Sequence, residues 1–146
     1  MDRLTKEKRS WNMSRIKSKN TEPELFIRHE LWHRGLRYRK NPNDIYGRPD
    51  IYISKYRTAV FVHGCFWHRH EGCKNATFPK TNVEFWLNKF QTNTDRDMKV
   101  RTTLINQDIR VIVIWECTAK KAAKDKKIID RICCEIINGS DTFMEF

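Results

Sequence analysis

The run His63-Gly64-Cys65-Phe66-Trp67-His68-Arg69-His70-Glu71-Gly72-Cys73 holds three imidazoles and two thiols, the side chains best able to bind borderline metals or to move protons near neutral pH. Cys65, His70 and Cys73, with the distant Cys117, offer three sulfurs and one nitrogen, a tetrahedral set suited to Zn2+. Four protein ligands leave no open position. Such a zinc would be structural and would order its loop by on the order of 10 kcal/mol. The spacing C-x4-H-x2-C is not a common finger pattern, and free thiols beside an exposed imidazole are the competing reading. If zinc takes Cys65 and His70, then His63 and His68 stay free on a braced scaffold, where a neutral imidazole can take a proton from water and return it. Cys133 and Cys134 are adjacent in a helical pattern and read as structural.

A second chemistry is carried by Asp50, which opens an apolar run after Gly47-Arg48-Pro49. A carboxylate at a strand edge suits Mg2+, a hard cation that prefers oxygen and keeps most of its waters. Taken alone, an Asp here reads as a turn residue. Phe66, Trp67 and Trp86 are large rings among polar neighbours. They read either as core filler or as rings that stack on bases or wedge between them. Met13 and Ile16 in the basic N-terminal stretch could act likewise from the opposite groove, beside cations such as Arg15 and Lys17.

These groups need elements to position them. Thr21-Glu22-Pro23-Glu24 reads as a helix start, with Thr21 as cap, Glu24 three residues on and Pro in the first turn. That helix is predicted to reach about Arg34 and to stop at Gly35. Leu36–Arg39 suggests a short strand. Asp50–Ile53 and Thr58–Val62 suggest an antiparallel hairpin across Ser54–Arg57. Residues 63–80 lose all periodicity, as a functional or metal-braced loop does. Helical patterns return at Glu84–Asn93 and Asp95–Gln107, a central strand is expected at Arg110–Trp115, and a last helix at Lys126–Asn138. The order α-β-β-β-loop-α-α-β-α implies a mixed central sheet flanked by helices.

Composition narrows the partners. The chain has 146 residues, 29 Lys+Arg against 18 Asp+Glu and a formal net charge of +11, so a polyanion, most often nucleic acid, is the expected partner. Residues 1–20 carry seven of those cations with few core positions, which reads as a DNA-clasping arm before one domain at 21–146. No run is long and apolar enough to span a membrane, and the N-terminus lacks the apolar core of a secretory signal. A cytoplasmic monomer is the default expectation. An odd count of five cysteines favours metal ligation or free thiols over disulfides.

The segments GRPD (Gly47–Asp50), HGCFWHRH (His63–His70), EFW (Glu84–Trp86) and VIWEC (Val113–Cys117) resemble the very short patch repair (Vsr) endonucleases. Arg37–Arg39 and the Asn12-Met13 arm fit more loosely. The resemblance implies a PD-(D/E)xK-like, restriction-endonuclease-like three-layer α/β fold with a structural zinc. It also implies a Mg2+-dependent enzyme that nicks one strand of duplex DNA beside a T:G mismatch, with mismatch-repair proteins as further partners. By the same resemblance Asp50 and the main-chain carbonyl of Val62 would ligate Mg2+, although the family commonly has Thr where Val62 stands. His68 would be the general base, oriented by Asp97. His63 would contact the scissile phosphate or help the leaving group. Glu24 would approach the metal's waters, unless it is only a helix cap. Phe66, Trp67 and Trp86 would enter the duplex, while Met13, Arg15, Ile16, Lys17 and Arg48 would contact it from the arm and the GRPD loop. The Glu71-Gly72 spacing before Cys73 is a second departure. The superfamily's usual Glu-x-Lys is missing from Thr58–Val62, so imidazoles must replace its base. Two other functions remain open at this point: a restriction-like or broader mismatch nuclease of the same fold, and a non-catalytic zinc-braced DNA-binding module.

Overall fold

The computed structural model describes residues 20–146. The N-terminal arm, with Met13, Arg15, Ile16 and Lys17, lies outside the described residues. Helix α1 (Glu22–His33) starts as its sequence dictates: Thr21 Oγ1 accepts the Glu24 N–H at 3.4 Å, and Pro23 occupies the first turn, where its missing N–H costs nothing. It closes before Gly35, whose φ of +88° suits a residue without Cβ. Strand β1 (Ile51–Ile53) is joined to β2 (Thr58–His63) by a 3-10 turn at Ser54–Tyr56, and Arg57 adopts left-handed backbone to close it. Leu36–Arg39 does not form a strand of its own. It contributes only a bridge between Arg39 and Tyr52.

Helix α2 runs unbroken over Val83–Asn106, where two helices were expected. At the expected break between Asn93 and Asp95, Thr92 and Thr94 turn their hydroxyls back onto the Asn88 and Gln91 carbonyls at 2.9 and 3.1 Å. Bonded within the helix, they offer it no exit. After β3 (Arg110–Trp115) come α3 (Glu116–Lys124) and α4 (Lys127–Asn138), then a terminal strand β4 (Phe143–Glu145). Neither α3 nor β4 was expected. Three residues of strand and one lysine-rich helix give too little periodicity to register.

The sheet order is β1-β2-β3-β4; β1 and β2 are antiparallel, and the other two pairings are parallel. Side-chain alternation divides the core in two. Val60, Val62, Ile112 and Ile114 pack on one face against α1, α3 and α4 through Ile27, Leu31, Ala119, Ile129 and Ile132. Ala59, Val111, Val113 and Trp115 pack on the other face with Cys65, Leu104 and Ile109. Helices therefore cover both faces of a mixed sheet. Each fully buried isoleucine contributes about 1.5–3 kcal/mol. His63 and Trp115, direct partners at the ends of β2 and β3, project on the second face, towards the irregular loop and α2.

Candidate active site

The loop after β2 winds tightly: His68 N donates to Gly64 O at 3.1 Å, His70 N to Cys65 O at 2.9 Å and Cys73 N to His70 O at 3.2 Å. Between His68 and His70, Arg69 adopts left-handed backbone at φ +54°. That conformation is costly for a side chain with a Cβ. The cost is offset because the guanidinium donates to the carbonyls of Phe66, Ala76 and Thr77 and lies 4.0 Å over the Phe90 ring. The reversal at Arg69 sends the flanking imidazoles into two different clusters.

The first cluster is Cys65, His70, Cys73 and Cys117, whose ligand atoms all lie within 4.8 Å of one another. Tetrahedral zinc with bonds of about 2.3 Å to sulfur and 2.0 Å to nitrogen would set sulfur and nitrogen roughly 3.5 Å apart. Cys65 Sγ and Cys117 Sγ lie 3.6 and 3.4 Å from His70 Nδ1. Burial pushes the Cys65 thiol up to about 12, while the Asn75 N–H holds Cys73 below the usual thiol range. A divalent cation among these sulfurs would ionise them outright. The donor set fits zinc.

The second cluster is His63, His68 and Asp97. His68 Nδ1 and Asp97 Oδ2 are 2.6 Å apart, a distance that suits an Nδ1–H donated to the carboxylate. The rings of His63 and His68 stack at 3.9 Å with planes 5° apart. Burial, reinforced by the neighbouring His68, pushes His63 down to about 3, so it stays neutral across the working range. One turn before Asp97, the buried Asn93 donates to the Trp67 carbonyl at 3.1 Å and fixes the loop against α2.

Asp50 lies on the adjoining wall. Its Oδ2 accepts the Val62 N–H at 2.7 Å, so the two residues meet through that amide. Burial first, and the charge of Glu24 second, push Asp50 up to about 7. Glu24 is only 3 % exposed, and its Oε2 accepts the Asn20 N–H at 2.7 Å. A half-buried carboxylate whose ionised form is disfavoured by burial and by a neighbouring acid is the environment a hard divalent cation relieves. The oxygen set fits Mg2+. Arg28, equally buried, donates twice to the Asp50 carbonyl at 3.0 and 3.2 Å and once each to the side chains of Asn20 and Asn41. It ties α1, the GRPD loop and the entry to β1 into one unit.

These groups share one cleft of about 870 Å3, lined by Glu24, Arg48, Asp50, His63, His68 and Asp97 among others. Phe66, Trp67 and Trp86 gather beside it in one aromatic cluster with Phe90, ring centroids 5.1–5.7 Å apart. Every expected site residue among those described falls in the cleft, the Cys/His cluster or this aromatic group. Arg28, Asn93 and Arg69 were not foreseen. Arg28 and Asn93 read in sequence as ordinary polar helix positions, and only their burial reveals them. Gly47 offered a better signal: at φ +78°, a Cβ there would lie 2.5 Å from Val100 Cγ1, so the loop bearing Asp50 docks directly on the helix bearing Asp97.

The family model described as DNA mismatch endonuclease Vsr matches residues 1–75. A protein of Neisseria meningitidis named type II nicking enzyme V.NmeAIP is 45 % identical over 135 residues, 92 % of this chain and 96 % of its own length. The type II nicking enzyme V.XorIIP of Xanthomonas oryzae pv. oryzae is 40 % identical over 80 % of this chain and 85 % of its own. The DNA mismatch endonuclease Vsr of Escherichia coli is 36 % identical over 85 % of this chain and 80 % of its own.

Proposed function

The chain belongs to the Vsr family of DNA mismatch endonucleases, and on that premise we propose that it is a Mg2+-dependent nickase of PD-(D/E)xK-like fold acting at T:G mismatches in duplex DNA. The observation that carries this reading is the 2.6 Å pairing of His68 Nδ1 with Asp97, in one cleft with a half-buried Asp50 whose carboxyl is pushed up to about 7.

Asp50, with the Val62 carbonyl and Glu24 close by, would hold Mg2+. The ion, when bound, supplies positive charge to the phosphate and acidity to water. His68 Nε2 accepts the proton of the attacking water while Asp97 accepts the Nδ1–H bond and steadies the imidazolium that forms. His63, neutral and half-buried, donates a hydrogen bond to the scissile phosphate or to its leaving oxygen. The Cys/His cluster, loaded with Zn2+, keeps the loop in register. Phe66, Trp67 and Trp86 stack on or between bases beside the mismatch, a distortion costing a few kcal/mol. Residues 1–20, with Met13, Arg15, Ile16 and Lys17, form an arm clasping the other groove ahead of the nuclease domain at 21–146, and Arg48 meets phosphate. The proposed setting is cytoplasmic, as a monomer, beside mismatch-repair proteins. Among the described residues no helix is long and apolar enough to cross a membrane.

Relatives named type II nicking enzymes favour a second reading in which the chemistry is the same and the target broader. Paired and mispaired duplexes assayed with and without Mg2+ separate the two. Nicking confined to T:G duplexes and dependent on Mg2+ is the expected result. Equal cutting of paired DNA would refute the mismatch reading, and cutting undiminished by chelation of Mg2+ would refute the metal.

A further inference from the structure

The two clusters that Arg69 separates in the backbone are rejoined through a ring that no part of the mechanism above uses. Trp115 ends β3 opposite His63 in the parallel register, and it is 9 % exposed. Its indole stacks on His70 at 4.2 Å with planes 6° apart, and it meets His63 edge-on at 5.4 Å and 71°. His63 in turn stacks on His68 at 3.9 Å and 5°. The result is a continuous series of four rings, His70, Trp115, His63 and His68, from a cluster ligand to the proposed base. The indole N–H points to Glu145 Oε2 at 3.4 Å, so the terminal strand β4 fixes the rotation of the ring. Cys117, another ligand of the cluster, follows two residues later in the chain.

From this geometry we infer that Trp115 is a positioning residue: it transmits the orientation of His70 in the Cys/His clamp to His63 and through it to His68. The physical need is clear. His63 is reached by few anchoring bonds, since among the described residues its ring makes stacking and edge contacts with Phe61, His68 and Trp115 and no hydrogen bond. An imidazole without a hydrogen bond keeps its angle only as well as its packed neighbours keep theirs. Trp115 is planar and held on both sides. A misplacement of about 1 Å in a reacting group can cost roughly 100-fold in rate. The clamp therefore acts on catalysis by side-chain packing in addition to bracing the backbone of the loop. Glu145, in a segment that carries no motif, becomes part of the device.

The inference rests on the assignment of His63 and His68 to catalysis, and the test keeps the two apart. Trp115→Met fills the space with an unbranched chain but removes the plane, while Trp115→Phe keeps a plane. Both are compared with the unaltered chain and with His68→Ala on whichever duplex the unaltered chain nicks fastest, reading kcat, KM, zinc content and melting temperature. Trp115→Met is expected to retain zinc one-to-one and to keep KM within about twofold while kcat falls at least roughly tenfold. Trp115→Phe should recover most of that loss. The coupling is overturned if Trp115→Met keeps full kcat, if its kcat falls only in proportion to lost zinc, or if Trp115→Phe is no better than Trp115→Met. Normal cutting by His68→Ala would instead overturn the assignment on which the coupling rests. Should Trp115→Met fail to fold, the exposed change Glu145→Ala carries the test: a several-fold lower kcat with zinc retained supports the coupling, and an unchanged kcat refutes it.

Discussion

One short segment supplies imidazoles to two clusters of opposite character. His70 faces Cys65, Cys73 and Cys117 in a group whose donor atoms lie within 4.8 Å of one another, four ligands being enough to fill a tetrahedral metal's positions. His68, two residues earlier, faces Asp97 and opens onto a cleft of about 870 Å3. Residue type does not distinguish them. The partner of Nδ1 does: in one cluster it meets cysteine sulfurs, in the other a carboxylate. One left-handed residue, Arg69, thus sends two nearby histidines to different partners.

The contrast breaks hardest on the closed side. Cys117→Ser leaves three donors and an open position, and the loop loses a term on the order of 10 kcal/mol, comparable with the stability of a whole domain. Purified Cys117→Ser should contain little zinc by metal analysis, expose residues 63–80 to proteolysis and nick no duplex. Stoichiometric zinc with normal cutting would sink the clamp assignment.

On the open side the fold should survive and the chemistry should not. His68→Ala is expected to lower kcat by roughly 100- to 10,000-fold. Asp97→Asn, which acts through His68, is expected to cost about 10- to 100-fold. Both variants should hold zinc and bind DNA as the parent does. If single-turnover nicking by His68→Ala matched the parent, His68 would not be the base.

Asp50 sharpens the comparison through pH. Its carboxyl lies at about 7 in the fold against an ordinary 3.8, so between these values the folded state holds a proton that the unfolded chain has lost. The contribution of Asp50 to stability is complete below pH 4 and falls as pH rises to 7, by at most about 4 kcal/mol at 1.36 kcal/mol per unit. His63 works the other way: at about 3 in the fold against 6.5, it costs stability as pH falls below 6.5. The two slopes nearly cancel between pH 4 and 6.5. Asp50→Asn removes one of them. Without added Mg2+, this variant should melt higher than the parent at pH 8, and the gap should close towards pH 4. A gap independent of pH would show that burial does not raise the Asp50 carboxyl.

Much of this was legible in the chain itself. His63, Cys65, His68, His70 and Cys73 stand in one run, and Asp50 follows a turn signal, so types and spacing suffice to suggest two chemistries. Helix α1, the β1–β2 pair and β3 follow from caps and apolar alternation. Position relative to the sheet was not legible. Arg28 and Asn93 look like solvent-facing helix residues until α1 and α2 turn them inward, and nothing in the run around Arg69 signals that its guanidinium closes the loop. Trp115 reads as the end of an apolar strand. Its role appears only when parallel pairing sets it beside His63 and loop closure brings His70 onto its face. Contacts between residues distant in sequence leave no local periodicity.

The smallest expected effects concern Glu24, which the sequence leaves divided between helix cap and metal site. In a capping box its carboxylate would bond the N–H of the cap residue Thr21. Instead Oε2 takes the N–H of Asn20, one residue earlier, while Thr21 Oγ1 reaches Glu24 N only at a long 3.4 Å. The cap and the carboxylate are therefore separable. Thr21→Ala should cost about 1 kcal/mol of stability and leave cutting at saturating Mg2+ unchanged. Glu24→Gln keeps an oxygen for the Asn20 N–H but removes the charge beside Asp50. Its melting temperature should fall, because Glu24 also lies 3.6 Å from the buried Arg28 guanidinium, and the Mg2+ concentration for half-maximal nicking should rise several-fold. If Glu24→Gln leaves the Mg2+ requirement unaltered, Glu24 serves the fold alone, and Asp50 is the one carboxylate that the metal site needs from this wall of the cleft.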